Sequence, residues 1–310
     1  MRYVYLNDAF VKEDDAKVSV FDSAITVGDM VTEVARTFSH SFFHLEDHVQ
    51  RFIEGIKQLK FPLFISEETI INKTHELFNM NKNSEEMDVE WQVVYIYTKG
   101  LNTHFNLFPN NSNNTFAILC FPLKNRLGRM AKKYKNGSTI LVSEQRAIPH
   151  RLLPPQIKSR GRLHLKLAKI QVSERNPDAD ALLLNENGYI TELSGSNLFL
   201  VKNGSLYTAP KSLVVPGITR QFIIDISKDI GITVFEQNIH VDQISTYDEA
   251  FITSTIIGII HVRSIENHFF GDGNCGPITK RIRDHFIDLT GCNFVEQAIR
   301  YADITNMLAE

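Results

Sequence analysis

The apolar positions of the chain first alternate and then take up a helical spacing. Tyr3-Val4-Tyr5-Leu6 and Phe10-Val11 flank Asn7-Asp8, a pair that tolerates the left-handed backbone of a tight hairpin turn. Val18 and Val20, followed by Phe21-Asp22-Ser23, predict another strand ending in a turn. From Leu45 the period becomes helical: Val49, Phe52, Ile53, Ile56 and Leu59 share one face, and Pro62 ends the segment. Ser66 is the expected N-cap of a second helix, with Glu67 and Glu68 in its positive first turn and Ile70, Ile71, Thr74, Leu77 and Phe78 facing inward. Strands are expected over Trp91–Tyr97 and Thr115–Phe121, separated by the Asn-rich stretch Asn106–Asn114.

A basic run from Pro122 to Gly137 (Lys124, Arg126, Arg129, Lys132, Lys133, Lys135) marks the expected domain boundary. No aromatic residues interleave with these cations in the manner of a nucleic-acid surface, so the run reads as a solvated connector. Beyond it, short apolar strands alternate with amphipathic helices such as Ile218–Ile230, capped by Gly231. The expectation is α/β (α+β), with a smaller N-terminal domain over residues 1–122, a linker over 123–137 and a larger C-terminal domain over 138–310. A chain of 310 residues is long for one core and suits two of about 150 residues.

Composition narrows the class. With 43% hydrophobic and 22% charged residues the chain is a globular one, and its net charge of -3 favours neither nucleic acid nor anionic lipid. No apolar stretch approaches the ~18 residues of a membrane span, and Arg2, Asn7 and Asp8 interrupt any secretory core. Cys120, Cys275 and Cys292 form no Cys-x-x-Cys pair and read as reduced thiols of a cytoplasmic protein, with no metal site; the five Asn-x-Ser/Thr triplets then carry no glycosylation signal. Gly271-x-Gly273-x-x-Gly276 matches a dinucleotide-binding fingerprint in letters only. Pro277 follows it and little chain remains for a βαβ unit, so it reads as a glycine-rich turn.

Four segments carry candidate chemistry. Lys158, in Gln156-Ile157-Lys158-Ser159-Arg160-Gly161-Arg162, stands among like charges that favour its neutral, nucleophilic amine; the alternative is a surface lysine in a basic turn. Thr191-Glu192 and the turn Ser194-Gly195-Ser196-Asn197 place a carboxylate and small donors near one strand end, as a plain hairpin turn also would. Pro216-Gly217-Ile218-Thr219 opens a helix whose free amides and dipole suit an anion, or merely starts the helix. Thr253-Ser254-Thr255 at a strand end suits phosphate oxygens, or forms an ordinary hydroxyl turn. Arg51 adds a cation from the early helix.

In their order, Val27-Gly28-Asp29 with Glu33 and Arg36, His48-Val49-Gln50-Arg51, Ile157-Lys158-Ser159, Thr191-Glu192, Ser196-Asn197-Leu198-Phe199, Pro216-Gly217-Ile218-Thr219-Arg220 and Thr253-Ser254-Thr255 resemble the class IV pyridoxal-phosphate aminotransferases, from about residue 3 to Thr279. That family includes branched-chain and D-amino acid aminotransferases and aminodeoxychorismate lyases. The resemblance implies a two-domain fold-type IV enzyme with its cofactor, pyridoxal 5'-phosphate, in the interdomain cleft, a homodimeric assembly, and amino-acid and 2-oxo-acid substrates. It implies that Lys158 forms the Schiff base and moves the substrate proton, and that Glu192 faces the pyridine nitrogen. Arg51, Gly217, Ile218, Thr219, Ser254 and Thr255 then cradle the phosphate, with Ser196 and Asn197 at the cofactor rim.

Of the residues flanking Glu33, Thr32 and Val34 replace the aromatic and the glycine of the branched-chain branch, and Thr32 also replaces the Tyr of the D-amino acid branch. Of the Arg and His that trap the substrate carboxylate in D-amino acid enzymes, the stretch Leu101–Pro109 offers only His104 and Asn106. Arg36, His104, Arg160 and Arg162 are the candidate replacements. Lys158-x-x-x-Arg162-Leu163 is closer to the lyase branch, and Pro216–Arg220 to the branched-chain branch. The expected activity is transamination between a small amino acid and a 2-oxo acid. The alternatives are a lyase releasing pyruvate from 4-amino-4-deoxychorismate and a cofactor-binding protein without turnover.

Overall fold

The computed structural model describes residues 1–84, 89–102 and 114–307. The chain divides into two units, Met1–Leu123 with Ile157–Gly161, and Lys124–Gln156 with Arg162–Glu310. The first unit therefore takes back a short segment that follows the basic run.

In the first unit the elements are β1 (Tyr3–Leu6), β2 (Ala9–Lys12), α1 (Ser23–Thr26), β3 (Met30–Phe38), β4 (Ser41–Phe42), α2 (Leu45–Gln58), α3 (Glu67–Asn81), β5 (Trp91–Thr98) and β6 (Phe116–Pro122). Among the described residues they build a six-stranded antiparallel sheet in the order β2-β1-β6-β5-β3-β4. Asn7 and Asp8, at φ 45° and 68°, close the β1–β2 hairpin. Ser66 caps α3 by accepting from the Thr69 amide at 3.1 Å. The apolar stripes of α2 (Val49, Phe52, Ile56) and α3 (Ile70, Leu77) pack on one sheet face, lined by Val31, Ala35, Trp91, Val93, Tyr95 and Ile118.

Val18 and Val20 do not form the expected strand. The segment is irregular, and Val18, Val20 and Phe21 are exposed. Asp22 explains the departure: its carboxylate caps α1 through the Ala24 amide (2.8 Å) and accepts from the Thr98 and Thr115 hydroxyls at 3.0 and 2.6 Å. The Asp22 amide also turns back to the Ser19 carbonyl at 3.0 Å, so the chain pairs only from Phe21 on, around a single bridge from Asp22 to Leu101.

In the second unit the elements are α4 (Lys124–Gly128), α5 (Ala131–Asn136), β7 (Ser138–Arg146), α6 (Leu163–Arg175), β8 (Asp180–Leu184), β9 (Ile190–Leu193), β10 (Asn197–Lys202), β11 (Ser205–Thr208), α7 (Ile218–Asp229), β12 (Val234–Glu236), β13 (Glu249–Ser254), β14 (Gly258–Ile265), β15 (His268–Phe269), α8 (Pro277–Thr290) and α9 (Phe294–Met307). Its sheet runs β12-β11-β10-β13-β14-β7-β8-β9, with β15 on β14. The pairs β11–β12, β14–β7 and β7–β8 are parallel and the others antiparallel. Helix α6 buries Leu165, Ala168 and Val172 against Leu141, Ala181 and Leu183 of β7 and β8.

The stretch expected as a solvated linker contains α4 and α5 and belongs to the second unit. Lys132 and Lys133 pair with Asp178 and Asp180, each at 2.6 Å, so part of the basic run is neutralised within the unit. The glycine-rich stretch from Gly271 follows the antiparallel β14–β15 hairpin, and no βαβ unit surrounds it among the described residues. A helix does open from it, at Pro277, but the Glu249 carboxylate already accepts from the Ile278 and Thr279 amides at 2.9 and 2.8 Å. A pyrophosphate would have to displace a carboxylate of the protein itself.

Phe52 lies at the centre of the first core, 1% exposed and in contact with the rings of Tyr95, Tyr97 and Phe116. Phe52→Ala is expected to cost about 3–5 kcal/mol, read as a lower urea midpoint at unchanged slope.

Candidate active site

Lys158 lies with the first unit because residues 157–161 attach to β3. The Thr32 amide donates to the Lys158 carbonyl at 2.9 Å, and Val31 bridges to Ser159. The Lys158 side chain, 18% exposed, then meets a fully buried carboxylate, with Nζ 2.6 Å from Glu33 Oε1. The like-charge crowd expected around Lys158 is therefore replaced by an anion. Arg160 is exposed to solvent, and Arg162 stands at the N-cap of α6 in the second unit.

Glu33 gathers more than Lys158. Arg51 donates Nε to its Oε2 and Nη2 to its Oε1, both at 2.7 Å, and His48 Nδ1 donates to Oε1 at 3.1 Å. His48 and Arg51 stand three residues apart on α2 and so project on one side of it. Burial pushes the Glu33 carboxyl upward, but the Arg51 guanidinium, the Lys158 ammonium and the His48 hydrogen bond together hold it well below the usual carboxylate range. His48 is itself lowered to about 4, by burial first and by the Arg51 and Lys158 charges, against the pull of Glu33. It is thus a neutral donor at physiological pH. Arg36, on the opposite face of β3 from Glu33, does not join this cluster. It is wholly buried, gives Nε to the Thr37 carbonyl at 2.8 Å and lies 4.0 Å over the Phe38 ring. His104 and Asn106 fall outside the described residues.

The other expected residues converge in the second unit. Glu192 on β9 accepts from the Val215 amide at 3.2 Å, while Asn197 at the head of β10 donates to the Val215 carbonyl at 3.3 Å. Two strands thereby grip the loop that leads into α7. A Cβ on Gly217 would lie 2.5 Å from Asn197 Oδ1, so only glycine lets the loop come this close. Asn197 is paired across the sheet with Thr253, which places it beside Ser254 and Thr255, and the Thr253 hydroxyl is spent on the Gly258 carbonyl at 2.7 Å. No side chain among the described residues caps α7, and the Thr219 hydroxyl in its first turn is 2% exposed with no hydrogen-bond partner. A buried hydroxyl and free first-turn amides at a helix start are donors suited to an anionic oxygen. The half-buried Ser196 lies in the turn whose carbonyl accepts from the Leu193 amide.

Sequence reasoning singled out neither His48 nor Glu33 as a side chain that contacts Lys158. Two signals pointed there: a carboxylate inside the apolar strand Val31–Ala35, and a His and an Arg at i and i+3 on a helix otherwise apolar on that face.

The buried imidazoles set an acid limit on the fold. His48 and His261 are each lowered to about 4, the latter by burial and by Arg283. The unfolded chain binds these protons near pH 6.5 and the folded chain only near 4, so their contribution is complete above about 6.5 and is lost as pH falls toward 4. Glu33, depressed in the folded state, keeps its contribution down to about 4.3 and loses it below. His48→Asn, which retains a donor, is expected to spare about 2–3 kcal/mol of the loss between pH 7.5 and 4.5 in thermal melts. An unchanged pH slope would contradict this.

Comparison with known proteins identifies the family and the fold. A sequence profile of the family "Amino-transferase class IV" matches residues 30–265. The branched-chain-amino-acid aminotransferase of Escherichia coli (strain K12) is 32% identical over 293 residues, covering 93% of this chain and 92% of that one. The D-alanine aminotransferase of Listeria innocua is 31% identical over 302 residues, covering 95% and 99%. A crystal structure of the branched-chain amino acid aminotransferase from Thermobaculum terrenum, in its PLP-bound holo-form, superposes with a TM-score of 0.81 at 25% identity, covering 97% of this chain and 96% of that one. The fold is that of these enzymes, and the chain belongs to the class IV aminotransferase family.

Proposed function

We propose that this chain is a pyridoxal-phosphate-dependent transaminase that moves an amino group between a small amino acid, of branched-chain or D-amino-acid type, and a 2-oxo acid. The observation that carries the reading is the gathering of Glu192, Asn197, Gly217 and an unpartnered, buried Thr219 hydroxyl around the start of α7. These are donors for a phosphate and a carboxylate for a ring nitrogen, and they fit the cofactor. When bound, pyridoxal phosphate supplies an aldehyde that condenses with amines and a ring that accepts an electron pair.

The protein's own groups do the rest. Lys158 offers the amine and, once freed by the incoming substrate, takes and returns the proton at the substrate α carbon through Nζ. Glu192 holds a proton on the pyridine nitrogen. The Ile218 and Thr219 amides, the Thr219 hydroxyl, and Ser254 and Thr255 hold phosphate oxygens, and Arg51 adds its positive charge. Ser196 and Asn197 border the ring. The exposed Arg160, the α6 cap residue Arg162 and His104, which lies outside the described residues, are the candidates for the substrate carboxylate.

The enzyme is proposed to work as a cytoplasmic homodimer. Cys120, Cys275 and Cys292 form no disulfide, which fits a reducing compartment. Val18, Val20, Ile25 and Val27, each 45–68% exposed within ten residues, form the kind of apolar surface that a second copy covers. The names of the relatives favour transamination over elimination of pyruvate.

Added pyridoxal phosphate is expected to give a visible absorbance band that borohydride abolishes and that Lys158→Ala lacks. In a panel of donors with 2-oxo acids, Lys158→Ala is expected to lose roughly 10²-fold or more of the turnover, the worth of a positioned acid–base group. Cofactor uptake without transfer to any 2-oxo acid would overturn the reading, and pyruvate release without an acceptor would reassign it to a lyase.

A further inference from the structure

Lys158 is tethered twice to consecutive residues of β3. Its carbonyl accepts from the Thr32 amide at 2.9 Å and the Thr32 hydroxyl at 3.4 Å, and its Nζ donates to Glu33 at 2.6 Å. The first tether involves no charge. The second is charge-assisted only while the amine carries its proton; a neutral amine keeps N–H donors but gives up the ion pair, so the hold weakens.

Glu33 is poor material for a base, since its carboxyl is held well below the usual range. It is well built as an anchor. Arg51 fixes both of its oxygens, His48 fixes Oε1 from the same helix, and the Val34 amide donates to Oε1 at 2.7 Å. Tyr95, opposite Glu33 in the β3–β5 register, turns its hydroxyl to Thr74 at 2.9 Å and stays protonated, its ionisation pushed upward by burial. The charged groups around Glu33 are therefore Arg51 and Lys158, with His48 neutral and Tyr95 neutral. Two cations share one anion, and of the two only the Lys158 ammonium can give up a proton to become a nucleophile, because a guanidinium stays charged.

We propose that Glu33 is the positioning residue for Lys158: it holds the protonated amine in wait and lets it go when the proton leaves, after which Arg51 alone balances the buried carboxylate. The Lys158 backbone stays fixed by Thr32 during this change, so the freed side chain pivots about an anchored Cα. The proposal rests on Lys158 being the reactive amine of the transaminase. It adds a reason why Arg51 stays in place, since its charge keeps Glu33 ionised and buried whether or not Lys158 is protonated.

The test uses the full chain freed of carbonyl ligands with hydroxylamine. Lys158 is acylated by a small anhydride across a pH series and its peptide quantified by mass spectrometry, with the exposed Lys280 as internal reference. Glu33→Gln, by leaving Lys158 next to Arg51 without the anion, is expected to lower the pH of half-reaction by at least about one unit, a tenfold gain in reactive amine. Arg51→Gln keeps the anion and removes the competing cation, so it is expected to shift that pH the opposite way. The second variant decides the matter if Glu33→Gln does not fold. An unchanged or reversed shift in either folded variant overturns the proposal. Because no cofactor enters the measurement, failure to take up pyridoxal phosphate would count against the transaminase and not against this result.

Discussion

A wholly buried carboxylate has to be answered by positive charge, and Glu33 imposes that demand on the first unit. Removing an ion from water costs several kcal/mol, which is recovered only if partners stand at hydrogen-bond distance with good geometry. Arg51 meets both oxygens, Lys158 and His48 meet one. To do so, β3, α2 and residues 157–161 must come together, although Lys158 lies 125 positions from Glu33 in the chain. The demand also explains why a segment beyond the basic run is counted with the first unit. Its backbone extends β3 by a bridge, and its lysine completes the charge balance.

The second unit obeys a different constraint, the closeness of backbone to side chain. Glu192 takes the amide of Val215 and Asn197 gives to its carbonyl, so one residue's backbone is gripped from two strands. The loop then runs so near Asn197 that position 217 has no room for a side chain. Placement of the α7 start is thus decided by residues that also carry polar groups toward it. Structure and chemistry are served by the same atoms.

How much of this could be read beforehand follows from where the information lies. The β1–β2 hairpin, α2, α3 and α7 were legible because turn residues, caps and a helical stripe are local patterns. The strand expected at Val18–Val20 fails for a non-local reason, the hold of Thr98 and Thr115 on Asp22. The helices within 124–136 were hidden by a basic composition that suggested solvent, while their partners Asp178 and Asp180 lie more than forty residues away. Glu192, Asn197, Gly217 and Thr219 were expected through the resemblance, and their convergence around the Val215 loop and the α7 start needed coordinates. The anion beside Lys158 reversed the environment inferred from its neighbours in sequence. Arg160 and Arg162 are close in the chain, but the carboxylate is adjacent in space.

Two helix starts within the second unit show why spacing of glycines alone is a poor guide to anion binding. Both α7 and α8 follow a glycine, Gly217 and Gly276, and each presents first-turn amides with the positive end of a helix dipole. At α8 the Glu249 carboxylate fills that end, bonding the Ile278 and Thr279 amides, and its atoms lie where a Cβ on Gly276 would have to go. The helix is satisfied from within, and a second anion there would meet like charge. At α7 no described side chain caps the helix, the neighbouring carboxylate of Glu192 is turned to the Val215 amide, and a buried hydroxyl waits without a partner. The literal dinucleotide fingerprint sits at the occupied end. The plain Pro-Gly-Ile-Thr sequence sits at the open one. What separates them is whether the protein has already supplied the negative charge, and that is settled by a residue some thirty positions away in the chain.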